Sequence, residues 1–500
     1  MKKQIYDRKK KKRALFVRRS GLPLLYGILF LSSLYMVSCA SLHYREVREL
    51  PQTESLLIRA AADEVIPGSV YDRNGICIAR GDRPGHIDLE DMYAEAVSRL
   101  LGWSALKAGQ NPAFVLSRTG ELYGTGQDQF SLSGIFNIGE KVGGDVRLTI
   151  DAGLSADIYD LLEGYGYRDA CVLVINYATG EIWAAVTANG FSDEDEERLA
   201  GEEINGPLTN NMVFNSAIMP GSSIKPFIYA SALEADPSLY DYQLTCDEAS
   251  HYFGAEGQIL VNCSHGKLHG ILKGMKEGLK VSCNAYVLHL MELVEGEVLY
   301  ENMKKFGFDR VLSLPGQLTY ADSSFYGREG MEAGYTERVL AGIGAANAGV
   351  SPFSIARGYM AFFNGGISRA PVLIRSVSDY QGGVRTGTPV NEDLVMCSPE
   401  TAEKILDCMH EVVQGGTGAV LKRDDGWDIC AKTGTAEYQY REGTGENAVW
   451  TIAGVRQDPA DFSNDKAWMV VTCVDRCQGA AREVAAPIAG DVLDLLLSGE

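Results

Sequence analysis

The sequence predicts an α/β (α+β) chain in which one sheet is enclosed by helices. Three observations lead there. Residues 429–435, 448–455 and 466–474 are three successive strand-like runs, with helical patterns before them at 401–414 and after them at 485–497. Residues 170–177 and 181–188 are two apolar runs around Thr179-Gly180, the pattern of a hairpin. At 500 residues, with 46% hydrophobic and 22% charged side chains, the chain suffices for more than one domain and a large core.

The N-terminus stands apart by charge. Net charge is −20, yet residues 1–20 hold ten of the 46 Lys/Arg and one of the 66 Asp/Glu, which leaves 36 basic and 65 acidic side chains beyond them. So acidic a body excludes nucleic-acid binding, which needs clustered positive charge. No Asp, Glu, Lys or Arg occurs between Arg19 and Arg45, and residues 21–40 suit one bilayer crossing. Positive charge on the near side puts that side in the cytoplasm. Residues 1–20 therefore read as a basic cytoplasmic tail, 21–41 as a single-pass transmembrane anchor at the cell membrane, and the body as extracytoplasmic. A cleaved signal peptide and a lipoprotein-type site at Met36-Val37-Ser38-Cys39 are the competing readings.

Residues 42–145 form the next region. It opens with a stalk at 45–62, followed by a strand, an Asn74-Gly75 turn and a second strand over 67–79. Residues 93–106 read as a short helix and 107–145 as irregular structure. The main domain, 146–500, starts with a strand at 146–150. Asp151 caps a helix to about residue 162, and the hairpin comes next. The acidic run 192–203 is a solvated loop. Residues 222–235 read as a buried helix, 272–294 as helical around Ser282, and 337–363 as one or two helices ending at Asn364-Gly365-Gly366.

Eleven cysteines cannot all pair within one chain, and Cys39 is the odd one if it lies in the membrane. Cys246 and Cys263 flank a glycine-containing loop and are candidates for a disulfide. Cys246, His251, Cys263, His265 and His269 fit none of the usual zinc spacings, so neither a metal nor a cofactor is expected.

The chemistry centres on Pro220-Gly221-Ser222-Ser223-Ile224-Lys225-Pro226, a turn feeding a helix. Ser222 and Lys225, three residues apart, share one face. A serine hydroxyl is a poor nucleophile until a base takes its proton, and a lysine with a depressed pKa is such a base. Ser-x-x-Lys recurs at Ser104/Lys107 and Ser264/Lys267, where a helix cap with a solvated lysine suffices. Two further elements single out Ser222. Ser282-Cys283-Asn284 is the one Ser-x-Asn in the chain, and Lys432-Thr433-Gly434-Thr435 closes a predicted strand. Ser222 would attack a carbonyl and form an acyl-enzyme, with Lys225 as base. Ser282 would relay the proton to the leaving amine, and Asn284 would hold a substrate amide. Lys432 would add positive charge near a substrate carboxylate and depress the pKa of Lys225, and Thr433 is a further substrate-binding candidate. Gly434 admits close backbone approach, and the Thr435 and Ser222 N–H groups would form an oxyanion hole.

Ser-x-x-Lys, Ser-x-Asn and Lys-Thr-Gly in this order resemble the signature of penicillin-binding proteins and class A β-lactamases. The chain is similar over residues 65–480 to class B penicillin-binding proteins, the monofunctional peptidoglycan D,D-transpeptidases. Val146–Asp151, the hairpin with Thr179-Gly180-Glu181-Ile182, His269-Gly270, Gly415-Gly416-Thr417-Gly418 and Trp450 extend the likeness, and residues 68–79 resemble the first motif of the family's pedestal domain. The resemblance implies a serine β-lactamase-like domain with an antiparallel sheet, set behind a pedestal at 42–145. It implies cross-linking of peptidoglycan stem peptides, acylation by β-lactams, and a SEDS-family polytopic glycosyltransferase as partner. Where the family motif starts Arg-Gly this chain has Pro67-Gly68, and where a Gly-Gln-Gly is common it has Gly342-Ile343-Gly344-Ala345. The same residues would serve a D,D-carboxypeptidase with water as acceptor. A non-catalytic β-lactam-binding scaffold or sensor is the alternative from another class. A β-lactamase is disfavoured, since no Glu-x-x-Leu-Asn lies between the second and third motifs.

Overall fold

Two sheets and a helical region organise the chain. The computed structural model describes residues 65–498, except 85, 102–140, 190–210, 255–256, 258, 264–265, 311–322, 326–333, 346–347, 379–383, 386–391 and 439–444. In chain order the elements used below are β1 (Val70–Tyr71), β2 (Cys77–Arg83), β3 (His86–Leu89), α1 (Asp91–Leu101), β4 (Val146–Leu148), α2 (Ala152–Tyr165), β5 (Asp169–Asn176) and β6 (Ile182–Asn189). After a 3₁₀ turn, Gly221–Ile224, come α3 (Lys225–Ala235), β7 (Leu244–Cys246), β8 (Gly270–Leu272), α4 (Met275–Lys280), α5 (Asn284–Leu293), α6 (Gly296–Lys305) and α7 (Tyr335–Gly342). The rest are α8 (Pro352–Phe363), β9 (Ile374–Ser378), β10 (Val384–Arg385), α9 (Pro399–Gly415), β11 (Asp428–Glu437), β12 (Asn447–Arg456), β13 (Trp468–Cys477) and α10 (Ala485–Leu497).

The main sheet runs β11-β12-β13-β5-β6, antiparallel throughout. Alternation makes its core. Ala170, Val172 and Val174 of β5 pack with Val470 and Val474 of β13 against Ile158 and Leu162 of α2 and Ile488 and Val492 of α10. The intervening Cys171, Leu173 and Ile175 are also fully buried, because the short helix Met212–Asn215 packs on β5 and α8 lies near β12 and β13. Buried on both faces, β5 reads as a continuous apolar run. The helix α2 starts where expected: the Asp151 side chain accepts from the Leu154 N–H at 3.0 Å.

The second sheet, β10-β9-β4-β1-β2-β3, draws strands from both sides of position 145/146, and β1 pairs with β4 in parallel. Asp72 fixes this junction. Fully buried, its carboxylate accepts from the Asn74 and Ile76 N–H groups, both at 2.8 Å, and from the Ala152 N–H at 3.2 Å. Arg73 lies over the Trp183 ring, 3.1 Å from its centroid, and pairs with Glu181 at 3.5 Å. Pro67 in place of the family's arginine therefore leaves this packing intact.

Two expectations change. The helical stretch 272–294 is two helices, α4 and α5, broken at Ser282, whose φ is 52°. The cysteines of the described residues are all free, so the proposed Cys246–Cys263 disulfide is absent; their sulfurs stand 3.9 Å apart. Among the described residues no helix is long and apolar enough to cross a membrane. The tail 1–20, the anchor 21–41 with Cys39, the acidic run 192–203, most of 107–145, and Ser104, Lys107, Ser264 and His265 lie outside the described residues.

Candidate active site

Pro226 shapes the first element of the site. Lacking an N–H, it is tolerated only in the first turn of a helix, and it stands there in α3. The preceding Gly221–Ile224 segment winds as a 3₁₀ turn, so Ser222 lies in that turn and not at the α-helix start expected from sequence. Residues i and i+3 eclipse in a 3₁₀ turn, which still aligns Ser222 with Lys225. The Lys225 N–H donates to the Ser222 carbonyl. Ser222 is half-buried, whereas Lys225 is fully buried.

A buried lysine needs partners, and the break between α4 and α5 supplies them. Lys225 Nζ donates to the Ser282 carbonyl at 2.6 Å, to Asn284 Oδ1 at 2.7 Å and to Ser282 Oγ at 3.3 Å. The left-handed backbone at Ser282 costs about 1–3 kcal/mol for a non-glycine residue. It turns the carbonyl and the hydroxyl of one residue toward the same ammonium. Asn284 is held from its other end, Nδ2 donating to the Asn262 carbonyl at 2.8 Å.

Strand β11 brings the third element. Lys432, also fully buried, donates from Nζ to Ser282 Oγ at 3.0 Å and to the Thr433 carbonyl at 2.6 Å. The Ser282 hydroxyl thus lies between two lysines. Burial pushes Lys225 down to about 8. Lys432 falls well below the ordinary lysine value, through burial first and the charge of Lys225 second. Burial is the main cause that depresses Lys225 and makes its neutral form accessible, and the neighbouring ammoniums each disfavour the other's charge.

Backbone contact closes the site. A Cβ on Gly434 would come within 2.6 Å of the Pro220 carbonyl oxygen and 2.8 Å of the Ser223 nitrogen. One on Gly221, at φ 53°, would come within 2.5 Å of the Thr435 carbonyl oxygen. β11 is the edge strand of its sheet, so its outer side is left for the 3₁₀ turn.

Comparison with known proteins covers the segments that carry these residues. A family profile described as the penicillin binding protein transpeptidase domain matches residues 170–494. The chain belongs to that family. Among curated relatives, the stage V sporulation protein D of Bacillus subtilis is 26% identical over 367 residues, 71% of this chain and 53% of that protein. The peptidoglycan D,D-transpeptidase PbpA of Mycobacterium tuberculosis is 25% identical over 384 residues, 74% of this chain and 76% of that protein. The chain thus spans about half of the first and three quarters of the second. The solved penicillin G acyl-enzyme complex of penicillin-binding protein A from M. tuberculosis superposes with a TM-score of 0.70 at 22% identity, covering 87% of this chain and all of that one, a likeness of fold. The resemblance drawn from the three motifs is borne out at the level of the family.

The transpeptidase domain also uses residues that the motifs do not name. Thr433 Oγ1 donates to Thr417 Oγ1 at 2.6 Å, and the Thr417 N–H reaches the Lys280 carbonyl at 3.3 Å, which ties the glycine-rich loop to α4. The buried Tyr359 hydroxyl donates to the Ser223 carbonyl at 2.6 Å, and Trp450 Nε1 to the Met219 carbonyl at 2.8 Å, bracing the Ser222 turn from below. Gly415–Gly418 and Trp450 are visible as family-like positions. Tyr359 sits in a helix of apolar residues, and nothing local in the sequence separates it from core.

Proposed function

We propose that the chain is a peptidoglycan D,D-transpeptidase that works through an acyl-enzyme on Ser222. The observation that carries the reading is the convergence of two fully buried lysines on the Ser282 hydroxyl, at 3.3 and 3.0 Å, with one of them, Lys225, one turn on from Ser222. Buried lysine ammoniums are costly and have no structural need to share one hydroxyl. Family membership and the names of the relatives support the same reading.

In the proposed reaction neutral Lys225 takes the proton of Ser222 as Oγ bonds to the carbonyl carbon of the penultimate D-Ala. The backbone N–H groups of Ser222 and Thr435, on segments joined at Gly221, hold the oxyanion. Ser282 passes the proton to the departing amine, terminal D-Ala leaves, and the amine of a second stem peptide attacks the ester and regenerates Ser222. Asn284 orients the donor amide. Thr433 and Lys432 favour the terminal carboxylate. A β-lactam enters the same sequence and stops at the acyl-enzyme, because its amine stays attached.

The test is labelling of the full chain with fluorescent penicillin and a digest read by mass spectrometry. Label on the peptide bearing Ser222, absent in Ser222→Ala, is expected; an unlabelled folded chain would overturn the acyl-enzyme and favour a scaffold. Incorporation of an added D-amino acid into a pentapeptide distinguishes transfer from hydrolysis by a D,D-carboxypeptidase. By its family and its charge pattern we further propose that residues 21–41 anchor the chain with its tail inside the cell, that 42–145 act as a pedestal for the domain at 146–500, and that a SEDS-family glycosyltransferase is the membrane partner. Co-purification from detergent, lost when 21–41 are exchanged for an unrelated span, checks the last point.

A further inference from the structure

Directly behind the Ser282–Asn284 turn lies a cluster that the acyl-transfer chemistry does not use. Cys246, Cys263, His269 and Cys283 each direct one ligand atom to a common centre, all four atoms within 4.8 Å of one another. Cys246 Sγ lies 3.9 Å from Cys263 Sγ and 3.5 Å from His269 Nδ1, and Cys263 Sγ lies 3.6 Å from Cys283 Sγ. With Zn–S about 2.3 Å and Zn–N about 2.0–2.1 Å, a tetrahedral ion sets sulfur–sulfur edges of about 3.8 Å and sulfur–nitrogen edges of about 3.5 Å. Three of the six edges match those of a tetrahedron around one ion, and the other three lie within 4.8 Å.

We propose that Cys246, Cys263, His269 and Cys283 form a Cys3His site for one structural Zn2+ ion, and that this ion holds the Ser282-Cys283-Asn284 turn in place. The surroundings suit thiolates. The Asn284 N–H donates to Cys263 Sγ at 3.3 Å and the Tyr286 N–H to Cys283 Sγ at 3.4 Å. The ring of His251 meets Cys246 Sγ at 3.4 Å from outside the quartet, in the manner of an outer-shell partner. The three cysteines are buried and His269 is half-buried. Three thiolates and an imidazole are soft ligands that select zinc over magnesium or calcium. Four protein ligands leave no open position, so the ion binds no substrate and its work is mechanical. A disulfide leaves the third sulfur and the histidine without a role.

The fold explains why the spacing hides the site. Pairing of β7 with β8 sets Gly270 opposite Cys246, which brings His269 beside that cysteine. Cys263 comes from the loop between them, and Cys283 is the N-cap residue of α5. The four ligands arrive singly from four segments, without the paired Cys-x-x-Cys of familiar zinc modules. Cys283 stands between Ser282, at its left-handed φ of 52°, and Asn284. A bond from its sulfur to the ion restrains the two side chains that Lys225 touches.

The inference does not depend on the acyl-enzyme reading, and its readout is metal. The full chain, purified without chelator, is expected to carry about one zinc by plasma mass spectrometry, and Ser222→Ala to carry the same. Exchange with Co2+ is expected to give intense thiolate-to-cobalt charge-transfer bands with the visible bands of a tetrahedral ion. Cys246→Ser/Cys263→Ser is expected to lose both. Removal of the ion is expected to lower the melting temperature by several degrees, restored by Zn2+ and not by Mg2+. A folded wild-type chain that holds no zinc and yields no cobalt–thiolate bands overturns the proposal, whatever the variants do. So does a double variant that keeps its zinc.

Discussion

At the residue scale the site turns on where protons sit. Lys225 is buried with three acceptors around it, and acceptors favour the charged form; burial still wins, at about 8. With the neutral amine as the proposed base, acylation by penicillin is expected to rise with pH up to about 8 and level above it, measured as a second-order rate with a labelled β-lactam. Lys225→Met is expected to flatten that profile and lower the rate by about 10²–10⁴. The same shift has a stability sign. The unfolded lysine keeps its proton up to about 10.5 and the folded one gives it up at about 8, so the unfolded state binds more protons between them. This group's penalty against folding is therefore full below about 8 and is relieved as pH rises toward 10.5. The identities of Ser222, Lys225, Ser282, Asn284 and Lys432 were legible as three short motifs. The complete burial of both lysines was not, because burial is a property of the assembled site.

At the scale of elements, the sequence patterns located β11, β12 and β13 to within three residues at each end and gave both ends of α10. They failed at Ser282, where a periodic apolar run suggested one helix. The break there comes from a serine held at positive φ by tertiary contacts, which no local propensity reports. The contact between β11 and the nucleophile turn is equally non-local. Gly434→Ala is expected to wedge the strand from the turn, because its Cβ would lie within 2.6 Å of the Pro220 oxygen. A displacement on the order of 1 Å costs about 10²-fold in rate, read in the same acylation assay, with about 1–3 kcal/mol lost from stability.

Across the whole molecule, the first described strands are continuous with the rest through Asp72. Asp72→Ala removes the acceptor for three backbone N–H groups and is expected to cost about 3 kcal/mol, seen as a lower urea midpoint. A chain cut at 146 is expected to aggregate by light scattering, since it strips β1 to β3 and leaves β4 as an open edge. Composition and motifs made the sheet-and-helix architecture legible. The sharing of one sheet by residues 70–89, 146–148 and 374–385 was not, because pairing between segments this far apart leaves no local pattern, and β1, β4 and β10 are only two or three residues long. Three distant segments also meet main chain to main chain: Gly221 donates its N–H to the Gly344 carbonyl at 3.0 Å, a Cβ on Gly344 would fall 2.0 Å from the Gly221 oxygen, and β11 presses on Gly221 from the other side. Every single-base change in a glycine codon that alters the residue and keeps the frame open adds a Cβ. At these three-way contacts no single-base substitution is a small step, so these positions are closed to gradual change of the residue.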